Sequence, residues 1–308
     1  MQKKQIIFAI VLLAILILFS IILVGHYMQE PTDQSSNFSV TYTDSFGYES
    51  TISSIPQKII SLSPNTTEIL CSLGLEEKLI GRTDYCDYPP TVSSITSVGT
   101  ITEPNLEVIA NLNPDIIITD GMQSQELITS IRNLGYTVVI TRANNSLQGT
   151  YEIITDIGFV TNTSDKAKEI VNEMKNEISK IMTAVSNIEN KKSVYYSISL
   201  SEYGLYTAGA DTYINELLET AGLINIATDM EGWTYSVENL IKHNPDYIIC
   251  SNLYDSKNTI LNYTPISELA SIKKQNIIEI DVNLIERQGP RNIEGLKLLL
   301  NTIYNINV

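Results

Sequence analysis

The chain has 308 residues, with 20 Lys and Arg against 35 Asp and Glu, a formal net charge of -15 and two histidines. At ~150 residues per domain this length holds about two domains with a sizeable core, and the acidity excludes a nucleic-acid partner, whose binding needs Lys and Arg to displace counterions. Two histidines cannot build a three-His zinc site, and the odd set Cys71, Cys86 and Cys250 is no disulfide scaffold.

Lys3 and Lys4 precede an apolar run over residues 6–24 in which Ser20 is the only polar residue. At ~1.5 Å per residue a helix of that length crosses a ~30 Å hydrocarbon core. The positive-inside tendency keeps the two lysines cytoplasmic and puts the remainder outside. Residues 1–28 are therefore expected to be a membrane anchor or signal segment, and the poor match to a small-x-small cleavage site favours a retained single-pass anchor. The stretch Leu23, Val24, Gly25 resembles a lipoprotein processing box, but His26 stands where such boxes need cysteine, which excludes lipidation there. Residues 29–37 (QEPTDQSSN) are polar, contain Pro31 and read as a tether.

Beyond the tether, short apolar runs bounded by Pro, Gly and Asn at 58–62, 115–119, 137–141, 193–200, 246–250 and 276–281 predict strands buried on both faces of mostly parallel sheets. Asn65 and Glu68 have the spacing of a capping box for a helix over 66–73 that Gly74 ends. Ser164 is the expected N-cap of the longest helical pattern, where Ala167, Ile170, Val171, Met174, Ile178, Ile181, Met182, Val185 and Ile188 form one apolar stripe. The expected class is α/β, with an N-terminal lobe over 38–162, an interlobe helix over 163–190 and a C-terminal lobe over 191–308.

The segment NLEVIANLNPDIII at 105–118 can be laid over SVENLIKHNPDYII at 236–249. Each copy predicts a short helix broken by Asn-Pro and followed by a buried strand, with Glu107 and Glu238 at matching places. A Glu in a first helical turn complements the helix dipole, worth ~0.3–1 kcal/mol. Two matched carboxylates, one per lobe, would also serve as docking points for a two-fold symmetric partner. In such a duplicated α/β protein, a ligand is expected at the carboxyl ends of the strands or between the lobes.

The motifs IISLSPNTTEIL at 59–70, TDYCDYPP at 83–90, VGT at 98–100, PNLE at 104–107, the two Asn-Pro-Asp strand entries and ERQGPR at 286–291 together resemble the helical-backbone substrate-binding proteins of ABC importers, and within them the cobalamin-binding branch. The resemblance runs from about Val40 to the C-terminus. It implies two lobes joined by one long helix, little movement on binding, a corrinoid held non-covalently in the cleft, and a chain that works as a monomer. It also implies docking of Glu107 and Glu238 on arginine pockets of a permease dimer that works with a cytoplasmic ATPase. By the same resemblance Tyr85 and Trp233 would lie against the corrin and Arg287 would bond its polar periphery. Trp233 could instead pack in its own lobe, and Arg287 and Arg291 could serve only as local ion pairs. Binders of that branch often carry a second Trp between Val98 and Asn105, where Ile101 stands here.

A ferric siderophore or haem is the alternative cargo for such a fold. Anionic ferric chelates favour clustered cations, and the chain has five arginines in all. No Gly-x-Ser-x-Gly, Gly-x-x-x-x-Gly-Lys, His-Glu-x-x-His or Cys-x-x-Cys motif is present, so no enzyme is expected; a membrane-tethered tetrapyrrole chelatase is the enzymatic alternative.

Overall fold

The computed structural model describes residues 38–141, 145–201 and 204–308. The N-terminal half runs β1 (Val40–Thr43), β2 (Glu49–Ile52), β3 (Ile59–Ser61), α1 (Pro64–Ser72), β4 (Leu79–Arg82), α2 (Leu106–Leu112), β5 (Ile116–Thr119), α3 (Gln125–Asn133), β6 (Val138–Ile140) and α4 (Leu147–Val160). A long helix, α5 (Ser164–Val185), follows. The C-terminal half runs β7 (Ser193–Ser197), β8 (Ser199–Ser201), β9 (Gly204–Tyr206), α6 (Tyr213–Thr220), β10 (Ile224–Asn225), β11 (Thr234–Tyr235), α7 (Val237–His243), β12 (Tyr247–Ser251), α8 (Ser256–Asn262), α9 (Ala270–Lys273), β13 (Ile277–Ile280), α10 (Asn283–Glu286) and α11 (Asn292–Tyr304).

Two four-stranded parallel sheets form, in the orders β4-β3-β5-β6 and β10-β7-β12-β13. Each is wound with its second strand at one edge and its first, third and fourth following, so the duplication extends from sequence to topology. β3, β5 and β6 are buried along their whole length, as strands covered by helices on both faces must be. A hairpin of β1 and β2 and a small antiparallel sheet, β11-β9-β8, complete the fold.

The Asn-Pro-Asp repeat has one physical job in both halves. Asn113 and Asn244 end α2 and α7 in the left-handed region, at φ 48° and 43°, a conformation Asn tolerates better than most residues. The proline then prevents the helix from continuing. Asp115 Oδ2 accepts the backbone N–H groups of Gln57 at 2.7 Å and Lys58 at 2.9 Å, just ahead of β3. Asp246 Oδ2 accepts the N–H and the hydroxyl of Ser193, both at 3.0 Å, at the start of β7. In each lobe the aspartate at the third strand's entry thus pins the entry of the first.

All six strands read from the sequence are present. The 193–200 run divides at Ile198, whose N–H turns aside to the Tyr206 carbonyl at 3.0 Å. β4 and β10 escaped the sequence reading because they are edge strands of four and two residues without a long apolar run. The expected capping box is absent: the helix starts at Pro64, the Asn65 side chain accepts the Thr66 N–H at 2.7 Å, and Glu68 turns inward. Gly74, at φ +79°, ends that helix as expected.

α5 spans 22 residues, shorter than the stretch to 190, and Ser164 is its first residue with Thr163 as the cap position. Its stripe is buried from Ala167 to Val185 except Met182, which is 58% exposed. It packs on α4 on one side and on α6 and α11 on the other. Close approach to α4 requires Gly158, because a Cβ there would lie 2.5 Å from the Ala167 Cβ. One hydrophobic core runs without interruption from Ile59 and Ile116 through Ala167 and Ile181 to Tyr196 and Leu299. The halves are fused across these helices rather than strung on a free linker.

Among the described residues no helix is long and apolar enough to cross a membrane. The expected anchor at 6–24 and the tether at 29–37 lie outside the described residues.

Candidate functional site

A cavity of about 560 Å³ opens between the halves. Its walls come from the residues that follow strand ends in both sheets: Pro64 and Asn65 after β3, Asp120 and Met122 after β5, Ile198 after β7 and Asn283 after β13. Chain leaving the carboxyl ends of parallel strands converges there, which is why open α/β sheets bind ligands at this edge. Ile101, Ile153, Tyr213, Ile214 and Trp233 make much of the remaining wall apolar.

Trp233 lines this cavity and is 44% exposed, so it is not a core residue of its own lobe. Its loop is held by backbone bonds: Thr207 N–H to the Trp233 carbonyl, Gly209 N–H to the Gly232 carbonyl and Ala210 N–H to the Met230 carbonyl, each 2.9 Å. The Gly232 N–H donates to Asp211 Oδ1 at 2.7 Å. Gly209 admits this pairing because a Cβ there would meet the Met230 and Gly232 carbonyl oxygens at 2.7 and 2.8 Å.

Arg287 also lines the cavity, but its guanidinium is already engaged. Nη1 donates to Glu68 at 2.8 Å and Asp87 at 2.6 Å, and Nη2 donates to the Tyr85 carbonyl at 3.2 Å. Arg291 joins the cluster, pairing with Glu68 at 3.2 Å and Asp281 at 3.1 Å and lying 3.8 Å over the Tyr88 ring. Burial pushes the Glu68 carboxyl upward, and the two guanidiniums pull against it. Burial works against the Arg287 charge too, and Asp87 and Glu68 more than offset it, raising that group. The cluster fastens α1 and the 83–88 loop to the segment around α10. Tyr85 is brought to this cluster through its backbone; its ring is 56% exposed and is not among the residues lining the cavity. Cys86 beside it is buried, within 3.2 Å of the Thr83 hydroxyl.

Sequence reasoning missed Asp120, Tyr213 and Glu286, although Asp120 directly follows a strand end, the signal that could have found it. Burial raises the Asp120 carboxyl above its ordinary range, against bonds from the Met122 N–H and the Ser63 hydroxyl. Desolvation likewise raises Glu286, opposed by the Tyr196 hydroxyl, which donates to it at 3.2 Å. Among the described residues no group of three or more His, Cys, Asp or Glu side chains is arranged to hold a metal ion. Cys71, Cys86 and Cys250 are free, and burial pushes Cys71 up to about 12 and Cys250 to about 11.

Glu107 and Glu238 stand exposed in the first turns of α2 and α7, at equivalent places in the two halves and away from the cavity wall. The helices under them are capped alike: Asn105 accepts from the Glu107 and Val108 N–H groups at 2.9 and 3.1 Å, and Ser236 accepts from Asn239 at 3.1 Å.

Comparison with known proteins agrees with this architecture. Residues 59–283 match the periplasmic binding protein family. The chain is 31% identical over 318 residues, covering 99% of it and 98% of the relative, to an uncharacterized ABC transporter substrate-binding lipoprotein, YvrC, of Bacillus subtilis. It is 25% identical over 288 residues to a cobalamin-binding protein of Halobacterium salinarum, covering 90% of this chain and 77% of that protein. The crystal structure of a possible iron-binding, periplasmic solute-binding protein from Staphylococcus epidermidis superposes with a TM-score of 0.72 and 32% identity, covering 81% of this chain and 99% of that one. Such proteins are transport components and not enzymes, which removes the chelatase alternative. The chain belongs to the periplasmic binding protein family, as an extracytoplasmic substrate-binding component of ABC import.

Proposed function

We propose that this protein captures a corrinoid in the interlobe cavity and delivers it to a dimeric ABC permease driven by a cytoplasmic ATPase. The observation that carries the reading is the cavity itself, an apolar slot at the carboxyl ends of two matched sheets, walled by Trp233 from one half and Ile101 and Met122 from the other. Such walls suit a flat macrocycle held without a covalent bond. Tyr85, tied to Arg287 through its carbonyl, and Arg287, fixed by Glu68 and Asp87, would complete the contact. Burial at ~25 cal/mol per Å² then dominates affinity, so capture should survive moderate salt while docking through Glu107 and Glu238 weakens. Lobes over 38–162 and 191–308 joined through α5, a monomeric working state and a membrane anchor at 6–24 belong to the same proposal. The H. salinarum relative supports a corrinoid.

A ferric siderophore or haem is the second reading, favoured by the S. epidermidis structure. The deciding experiment is the visible absorption spectrum of protein purified from its host. Corrin bands are expected; a haem Soret band or a ferric hydroxamate band in their place would hand the assignment to the second reading.

A further inference from the structure

Three titratable groups lining the cavity, Tyr213, Asp120 and Glu286, take no part in the contacts proposed above. Tyr213 is 4% exposed and lines the cavity, yet its hydroxyl has no hydrogen-bond partner. The neighbouring Asn292 spends both its amide hydrogens on the Leu284 and Arg287 carbonyls, at 3.0 and 2.9 Å. A buried hydroxyl without a partner is costly, and one that lines a binding cavity is placed to donate to a bound molecule. Asp120 and Glu286 reach the same cavity from the two different halves. The one Arg or Lys among the described lining residues is Arg287, and Glu68 and Asp87 already balance its charge. The wall facing the cargo therefore offers one phenol, two carboxylates and the neutral amides of Asn65, Asn145, Asn283 and Gln288, with no uncommitted cation among those residues.

We infer that Tyr213, Asp120 and Glu286 select the cargo by the charge of its periphery, accepting uncharged carboxamide-bearing or cationic molecules and rejecting carboxylate-rich anions. An amide matches the set group for group: its carbonyl accepts from Tyr213 and its N–H donates to Asp120 or Glu286. A carboxylate offers only acceptors and meets two like charges in a partly desolvated slot, where such juxtaposition is expensive. Raised pKa values at Asp120 and Glu286 accord with that desolvation. The inference rests on the cavity being the cargo site, and it narrows the cargo class within that reading.

The test titrates wild type, a Asp120→Asn/Glu286→Gln double variant and Tyr213→Phe with four probes: cyanocobalamin, cobyrinic acid (the same ring bearing carboxylates), a cationic ferric trihydroxamate and ferric citrate. Wild type is expected to bind cyanocobalamin about a hundredfold more tightly than cobyrinic acid, a preference of the size that like-charge rejection gives. The double variant should narrow that gap at least about tenfold, while Tyr213→Phe weakens cyanocobalamin about tenfold and leaves the gap unchanged. Capture of the cationic trihydroxamate with no corrinoid bound would end the corrinoid reading and keep this inference. Tight wild-type binding of ferric citrate, or a gap untouched in the double variant, would overturn the inference itself.

Discussion

Arg287 and Glu68 lie 219 residues apart in the chain and meet at 2.8 Å, one from each half, with the Glu68 side chain 2% exposed. Their pairing ties the two halves together beside the cavity that Arg287 lines. Arg291 shares the same carboxylate oxygen at 3.2 Å, so one buried anion holds two cations in place. Removing one member of a buried pair strands the other, at ~3–5 kcal/mol. Glu68→Gln should destabilise the protein by about 3 kcal/mol in urea unfolding, and a double-mutant cycle with Arg287→Gln should show strong coupling. A cost below ~1 kcal/mol, the range of exposed pairs, would show that the clasp is peripheral.

Trp233 is the only tryptophan in the chain, so its fluorescence reports on the cleft directly. Cyanocobalamin should quench it, and Trp233→Ala should weaken capture by about 2 kcal/mol in equilibrium dialysis, the worth of one large apolar side chain. Unchanged affinity would take this residue out of the cargo contact.

Gly209 supports that loop without touching cargo. A methyl at this position meets two carbonyl oxygens at 2.7 and 2.8 Å, and one strand of the pairing must move. Gly209→Ala is expected to cost about 1–3 kcal/mol of stability, as overpacking does, and to weaken capture of cyanocobalamin. Because it acts through Trp233, adding it to Trp233→Ala should bring little further loss of affinity; full additivity would mean that the loop acts independently of the indole.

Glu107 and Glu238 occupy the same place in two copies of one motif. Reversing both to Arg should abolish uptake in cells while the purified protein still binds its cargo, since neither lines the cavity. Uptake at the normal rate would refute docking through these carboxylates.

Glu177 on α5 is gripped by Lys180 and by Lys297 of α11, each at 2.5 Å, and these bonds hold its carboxyl down at about 2. A carboxyl whose folded pKa lies below its unfolded value contributes stability above the unfolded pKa and loses it as pH falls. The stability gap between wild type and Glu177→Gln should therefore be present at neutral pH and shrink from about 4.5 down to about 2. Urea midpoints measured at several pH values check this, and a gap that widens on acidification would contradict the assignment.

Much of this fold was legible in advance because its signals are local. Buried parallel strands announce themselves as apolar runs, and Asn-Pro-Asp prescribes a left-handed cap, a helix stop and a strand entry within three residues. The Glu107 and Glu238 correspondence followed from that motif. Glu68 shows where such reading ends: its spacing from Asn65 mimics a capping box, yet the residues that claim it are more than two hundred positions away. Tyr213 belongs to an unremarkable stretch of helix, and Glu286 opens the ERQGPR motif with no role of its own there; both acquire meaning only because another half faces them.

From the amino-acid order alone came the α/β class, the duplication, the long connecting helix with its apolar stripe, and the aromatic and acidic residues worth watching. Hydrophobic period, turn chemistry and motif repetition are properties of short stretches, and short stretches carry them intact. Tertiary structure alone decided that the halves share one core, that Arg287 is balanced by Glu68 and Asp87, and that Asp120, Tyr213 and Glu286 look into one cavity. Those are relations between distant segments. Their energies depend on which groups are taken out of water together, and no local pattern records that.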